Sequence, residues 1–259
     1  MNQPPLNIAI CGLGTVAQGV LALLKRNEKL ITQRAGRPIR VVAVASRTPR
    51  PEVDLLGAQF STDVRSVIEN PEVDLVLELI GGETLADELV RNALSNGKHV
   101  VTANKAIIAH HGDDYLELAR ARNLAFAFES AVAGGIPVIG ALTRGLAANE
   151  VNWIAGLING TSNYILSEMA ENGRSFAAAL LQAQELGYAE ADPTFDVGGI
   201  DAAHKLTILA ALAFGMSMRF ADVFIEGIEA LGLEDIEYAQ QLGYRIRHLG
   251  IARRSAKGI

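Results

Sequence analysis

The chain contains a single cysteine, Cys11, among 259 residues. One thiol forms no internal disulfide and cannot build a cysteine-based metal cage. Basic runs are missing too, and 23 Lys and Arg stand against 29 Asp and Glu, a formal net charge of −6. That balance argues against nucleic acid and against anionic membrane as partners. The apolar stretches at 73–80 and 206–214 fall well short of the ~18 residues that a bilayer-spanning helix requires. The opening Met-Asn-Gln-Pro-Pro-Leu has no basic region followed by an apolar core, so it does not read as a signal peptide. There are no internal repeats and no low-complexity linkers. What is present is 49% apolar residues, enough for a sizeable core without staples. The length suits one large or two ordinary domains. A cytoplasmic enzyme is the expected class.

The first half alternates β-branched runs with helical spacing. Strands are expected at 7–11, 39–45, 73–78, 99–102 and 124–128. Helices are expected at 13–34, 62–69, 84–95 and 110–122. Such alternation predicts parallel crossovers and an α/β, Rossmann-type doubly wound sheet. After Ser130 the pattern changes. A glycine-rich loop precedes a short helix from Pro137 to about 144, and 151–158 reads as a strand. Helices follow, from Thr161 or Ser162 to Gly173 and from Ser175 to Gly187. An acidic loop leads into an apolar helix at about 199–213. A short strand near Phe224, a helix at 234–242 and a strand at 246–252 complete an α+β second domain. The expected division is 1–136 and 137–259.

Gly12-Leu13-Gly14-Thr15-Val16-Ala17 lies between the first strand and the first helix, the context that the Gly-x-Gly-x-x-Gly/Ala dinucleotide fingerprint requires. Gly12 permits the tight turn, Gly14 lets backbone approach a pyrophosphate, and Ala17 keeps helix and strand close. Amides of the helix N-terminus meet the phosphate charge. The second strand ends in Ser46-Arg47 where an acid would serve the ribose hydroxyls of NAD. Arg47 suits the 2′-phosphate of NADP, with NAD left open through Glu52 or Asp54. Cys11, just before the turn, reads as a small core residue. It is poorly placed for thioester chemistry with an aldehyde.

From 183 to 205 the chain places Glu190, Asp192, Asp196 and Asp201 ahead of Lys205, with glycines and a proline between them. Asp201 and Lys205, four apart, share a face if the segment is helical. Many carboxylates with one ammonium suit a small substrate that carries its own positive charge. Asp192-Pro193 reads first as a turn device. Asn159-Gly160-Thr161 either presents amides near a nicotinamide or merely caps a helix. His204 points away from Lys205, and His110-His111 read as loop residues.

This stretch resembles the signature of homoserine dehydrogenase at Gly187-Tyr188, Asp192-Pro193, Asp196-Val197, Gly199, Asp201 and Lys205. The resemblance extends in collinear order through Gly12-Leu13-Gly14-Thr15-Val16, Glu78-Leu79-Ile80-Gly81-Gly82, Val101-Thr102-Ala103-Asn104-Lys105, residues 129–137 and residues 159–166. It implies interconversion of L-homoserine and L-aspartate 4-semialdehyde with NAD(P), in threonine, methionine and isoleucine biosynthesis. It further implies Lys205 as proton donor and acceptor, Asp201 as its orienting partner or a substrate ligand, and Lys105 as a second lysine near the nicotinamide. Glu190 is implied as ligand of the substrate amino group, Asp196 as a further substrate contact, and Gly187 as a cofactor contact. Glu129, Val132, Gly134 and Ile136 are implied as oxygen ligands of a monovalent cation, sodium, with a structural role. The resemblance also implies a homodimer or higher homo-oligomer.

Members of that family carry further strands beyond this length, and many carry a regulatory domain, so the second domain is expected to be incomplete. A non-catalytic dinucleotide-sensing regulator is one alternative; it would keep Gly12 and Gly14 without needing Glu190, Asp201 and Lys205 together. A dehydrogenase of another small amino alcohol is the other.

Overall fold

The computed structural model describes residues 3–255 and 258–259. The chain divides into two compact units, Met1–Val138 and Ile139–Ile259. In the first, β1 (Leu6–Cys11), β2 (Ile39–Ala45), β3 (Gln59–Ser61), β4 (Leu75–Glu78), β5 (His99–Thr102) and β6 (Phe126–Ala127) form one sheet in the order β3-β2-β1-β4-β5-β6. Every pairing is parallel. The order reverses between β1 and β4, which is the switch point where open sheets of this kind place their ligand crevice.

The helices of this unit are α1 (Thr15–Arg26), α2 (Glu28–Ala35), α3 (Val64–Glu69), α4 (Thr84–Ser95) and α5 (Lys105–Ala121). Ile8, Ile10, Val41 and Val44 of the sheet pack with Leu13, Ala17 and Leu21 from the α1 side. The doubly wound parallel sheet is therefore as expected from the alternating pattern.

Three details differ. The single helix expected at 13–34 is broken at Asn27, which closes α1 and opens α2. No residue of α2 is buried, so packing does not enforce continuity there. β3 went unforeseen because it is a three-residue edge strand with no buried residue and hence no apolar alternation. Helix α5 starts at Lys105 rather than at 110. The Asn104 carboxamide accepts from the Ala106 and Ile107 amides, and the burial of Ile107 and Ile108 anchors the first turn. His110 and His111 are accordingly helical.

From the last residue of the first unit, Val138–Gly140 forms one turn, α6, which widens into a π turn at Ala141–Gly145 in the second. β7 (Trp153–Gly156) pairs antiparallel with β8 (Gly250–Arg253). Between them lie α7 (Gly160–Asn172), α8 (Phe176–Glu185), α9 (Thr194–Val197), α10 (Ile200–Phe214) and α11 (Leu233–Gln241). The core joins Ile165, Leu166 and Met169 of α7, Ala179 and Ala183 of α8, Val197 of α9, Ile228, and Ile236 of α11. The alanines let α8 approach α7 closely, and each fully buried Ile or Leu contributes ~1.5–3 kcal/mol.

Helix limits follow the expected chemistry. Gly173, at φ 62°, ends α7, and the Ser175 hydroxyl accepts from the Ala178 amide at the start of α8. The strand expected near Phe224 is absent; a 3-10 turn at Phe220–Asp222 precedes that residue, which is 87% exposed. The last strand starts at 250 rather than at 246. The Asn163 carboxamide occupies both the carbonyl and the amide of His248, at 2.9 and 3.0 Å, so that backbone is spent on α7. Among the described residues no helix is long and apolar enough to cross a membrane.

Asn104 caps α5 and also donates to the Gly82 carbonyl at 2.6 Å. Asn104→Ala is expected to cost ~1–2 kcal/mol, a cap plus part of a tertiary hydrogen bond. Urea melts of the purified chain check this: the midpoint falls and the slope stays constant.

Candidate active site

The sequence between β1 and α1 makes a turn that only glycine can make. Gly12 has φ 99°, and a Cβ there would collide with the Leu79 carbonyl at the exit of β4. Gly14 differs: its φ is −79°, and a Cβ would meet no atom within 4 Å. Gly14 opens α1 without a side-chain cap, and no acidic residue sits in the first turn. The free amides of that turn and the positive end of the helix suit an anion. Leu13 and Ala17 are buried beneath while Thr15 and Val16 face outward. Residues 12–17 thus fit a pyrophosphate in geometry and in charge.

Arg47 stands exposed just after β2, on the adenosine side of such a crevice. Asp54 is engaged elsewhere. It pairs with Lys25 at 2.6 Å and accepts from the Leu56 amide, and the lysine holds its carboxyl below the usual range.

The exits of β4 and β5 carry a group that sequence reasoning passed over. Glu78 is fully buried, in register with Cys11 on one side and Thr102 on the other. Burial pushes its carboxyl up, opposed by hydrogen bonds from the Thr102 hydroxyl at 2.5 Å and the Ile80 amide at 2.8 Å. The available signal was one acid closing an otherwise apolar strand. Burial, followed by the neighbouring Glu78, also pushes the Cys11 thiol up to about 12, so it is inert as a nucleophile near neutral pH. Lys105, the first residue of α5, lies at the carboxyl end of β5, half-buried.

In the second unit, α10 places Asp201 and Lys205 one turn apart. Lys205 Nζ donates to Asp201 Oδ2 at 2.6 Å and to the Ile158 carbonyl at 2.9 Å. Asp201 is 5% exposed. A buried carboxylate needs such partners, because desolvation otherwise disfavours its charge. Asn159, 2% exposed, supplies the rest. Its amide nitrogen donates to Asp201 Oδ2 at 2.9 Å and to Asp196 Oδ1 at 2.7 Å, and its oxygen caps α7 by accepting from the Ser162 amide. The Ser162 hydroxyl donates to the Asp196 carbonyl.

Asp196, Asp201 and Lys205 are therefore one hydrogen-bonded cluster, with Asn159 as the joint. Asn159 is both a helix cap and a strut between carboxylates, a role that spacing alone could not reveal. Glu190 is exposed, and among the described residues no hydrogen bond joins its carboxylate to the cluster. The Gln184 amide donates to the Glu190 and Ala191 carbonyls and so shapes the loop. Gly187, at φ 76°, is the left-handed residue just past α8. Thr194 holds the Asp192 carboxyl below the usual range, through its side chain first and its amide second, and the amide contact at 3.1 Å closes a turn.

Glu129 opens a 3-10 turn, Glu129–Ala131, and Val132, Gly134 and Ile136 follow in a loop with left-handed backbone at Ala133 and Gly135. The Ile136 carbonyl already accepts from the Val138 amide. One carboxylate with main-chain carbonyls is an all-oxygen donor set, suited to a hard cation. Among the described residues there is no group of three or more His, Cys, Asp and Glu able to hold a metal ion.

The first unit thus has the parallel sheet and glycine turn that suit a dinucleotide, and the second carries a hydrogen-bonded acid–lysine cluster. Residues 12–129 match the family model described as "Homoserine dehydrogenase, NAD binding domain", and 137–258 match that described as "Homoserine dehydrogenase". The chain belongs to the homoserine dehydrogenase family. It is 57% identical to the homoserine dehydrogenase of Pseudomonas aeruginosa over 98% of its own length and 58% of that protein's. The crystal structure of a homoserine dehydrogenase from Thiobacillus denitrificans is similar at a TM-score of 0.94, with 53% identity over 98% of this chain and 60% of that one. A putative homoserine dehydrogenase from Archaeoglobus fulgidus gives 0.87 at 34% identity, over 96% of this chain and 81% of that one. The chain spans about 58% of the length of the curated relatives it matches.

The two glycines separate structure from ligand binding. Gly12→Ala is expected to lower the melting temperature by several degrees. Gly14→Ala should leave it within a degree or two yet weaken NADPH binding at least ~10-fold, since a methyl group then occupies the phosphate cradle. Differential scanning fluorimetry and NADPH fluorescence titration check the pair.

Proposed function

We propose that the chain interconverts L-homoserine and L-aspartate 4-semialdehyde, with residues 1–136 binding a nicotinamide dinucleotide and 137–259 binding the amino acid. The observation that carries this reading is the buried Lys205–Asp201 pair joined through Asn159 to Asp196. When bound, the nicotinamide supplies the hydride acceptor or donor. The residues of the chain handle the oxygen and its proton. In the reducing direction the Lys205 ammonium donates to the carbonyl oxygen of the semialdehyde as negative charge grows there. In the oxidising direction the neutral amine takes the hydroxyl proton.

Asp201 orients Lys205 from one helical turn away and, with Asp196, makes the surroundings of the lysine anionic. The exposed Glu190 carboxylate receives the ammonium of the substrate. Lys105, at the start of α5, assists at the nicotinamide end. Arg47 selects NADP over NAD by its charge at the end of β2. A sodium ion bound by Glu129 and the carbonyls of Val132, Gly134 and Ile136 would order that loop and take no part in the chemistry. The reaction serves threonine, methionine and isoleucine biosynthesis in the cytoplasm.

Trp153 and Ile251, 62% and 56% exposed on the outer face of the β7–β8 ribbon, support association of two copies.

Homoserine-dependent NADPH formation by the purified chain tests the reading. Lys205→Ala should lower kcat ~10²–10⁴-fold with the fold intact by circular dichroism. Glu190→Gln should raise KM for homoserine ~10-fold or more, the loss of a charge-assisted contact. Equal rates for the parent and Lys205→Ala would remove the lysine from the mechanism.

Cofactor choice is a separate matter. Arg47→Asp should raise KM for NADP⁺ by ~10-fold or more and bring NAD⁺ to parity or better. Paired initial-rate measurements check this, and an unchanged ratio would assign the 2′-phosphate to other groups.

A further inference from the structure

Glu78 costs free energy where it stands, since a valine or leucine would fill the strand without desolvating a carboxyl group. Its hydrogen bonds show what the acid does there. Oε1 accepts from the Ile80 amide at 2.8 Å, and Oε2 accepts from the Thr102 hydroxyl at 2.5 Å. The Thr102 oxygen in turn accepts from the Asn104 amide at 2.9 Å. The Asn104 side chain donates to the Gly82 carbonyl at 2.6 Å and, through its oxygen, caps the helix that Lys105 begins. These links close a ring between the loop leaving β4 and the loop leaving β5.

The first of those loops is also seated against the glycine turn. The Leu79 amide donates to the Cys11 carbonyl at 2.8 Å, and the Leu79 carbonyl backs Gly12. With the adenosine end of a dinucleotide at the tip of β2, the other end crosses the switch point onto the exits of β4 and β5. We propose that Glu78 is a positioning residue for the nicotinamide end of the cofactor: its buried carboxyl locks residues 80–82 and 104–105 into one platform and so fixes where Lys105 stands. This rests on the dinucleotide reading of the first unit, and it identifies a role that Glu78 performs through its neighbours rather than by touching the reacting atoms.

The test uses the whole chain with Thr102→Val, Glu78→Gln, Glu78→Leu and the Glu78→Leu/Thr102→Val double variant. The readouts are NADPH Kd by fluorescence, KM for each substrate, and melting temperature. Thr102→Val keeps a buried β-branched shape but opens the ring. It is expected to weaken NADPH binding ~10-fold while KM for homoserine changes less than ~2-fold. Glu78→Gln, which can still accept from Ile80 and bond Thr102, should recover binding to within ~3-fold of the parent, whereas Glu78→Leu should not. The double variant should bind no worse than the weaker single one, because both cut the same ring.

A fall in melting temperature with Kd and KM for the cofactor unchanged in Thr102→Val would overturn the proposal and leave Glu78 a purely structural group. If the parent chain binds no NADPH at all, the dinucleotide reading falls and this proposal with it.

Discussion

An ammonium whose side chain is only 21% exposed has to have an anion beside it, and that requirement organises the second unit. Lys205 has Asp201 at its side, but Asp201 is itself buried and cannot rest on one partner. Asn159 meets the remaining demand, and it can do so only because it ends the segment after β7 and caps α7. The Ile158 carbonyl, one residue earlier, takes a further Lys205 proton. One short segment therefore positions the lysine, the aspartate and, through Asp196, the acidic loop. Buried charge is expensive, and the second unit spends backbone and side-chain hydrogen bonds on it where an apolar pocket would need none.

The first unit solves the opposite problem. Its crevice must accept a charged guest, so the chain keeps anions out of the α1 N-terminus and leaves the amides there without a side-chain cap. Glu78, the acid that closes β4, is turned into the sheet and satisfied internally. Cys11, its neighbour across β1, is silenced by the same burial. Polar groups that would compete with a dinucleotide phosphate are thereby kept away from the turn that suits it.

Much of this could be read before any coordinates. The strand–turn–helix context of Gly12 and Gly14 and the alternating apolar runs foretold the doubly wound sheet. The four-residue interval from Asp201 to Lys205 foretold a shared helix face. What escaped notice was decided by tertiary contacts. β3 is an edge strand with nothing buried, so no periodicity marks it. The first turn of α5 depends on a cap from Asn104, in a segment first read for its likeness to a family motif. The strand expected at 246 yields its first residues to Asn163, a side chain 85 positions away. Asn159 and Glu78 are the same lesson at the two candidate sites: each matters for what it joins, and joining is invisible along a line of letters.

The clasp between Asn163 and His248, together with the pairing of Trp153 with Arg253, stitches the beginning of the second unit to its end. Contacts of such long sequence separation form late, because a large loop must close before they are rewarded. On the ribosome, every strand of the parallel sheet has emerged by Ala127, whereas β7 has no partner until Gly250 appears. The nascent chain would thus carry a finished parallel sheet while β7 waited, its edge unpaired, until helices α7 to α11 had been made. Translation speed over the segment from α7 to α11, more than any local helix propensity, would decide how long the half-built ribbon is open to mispairing with another copy.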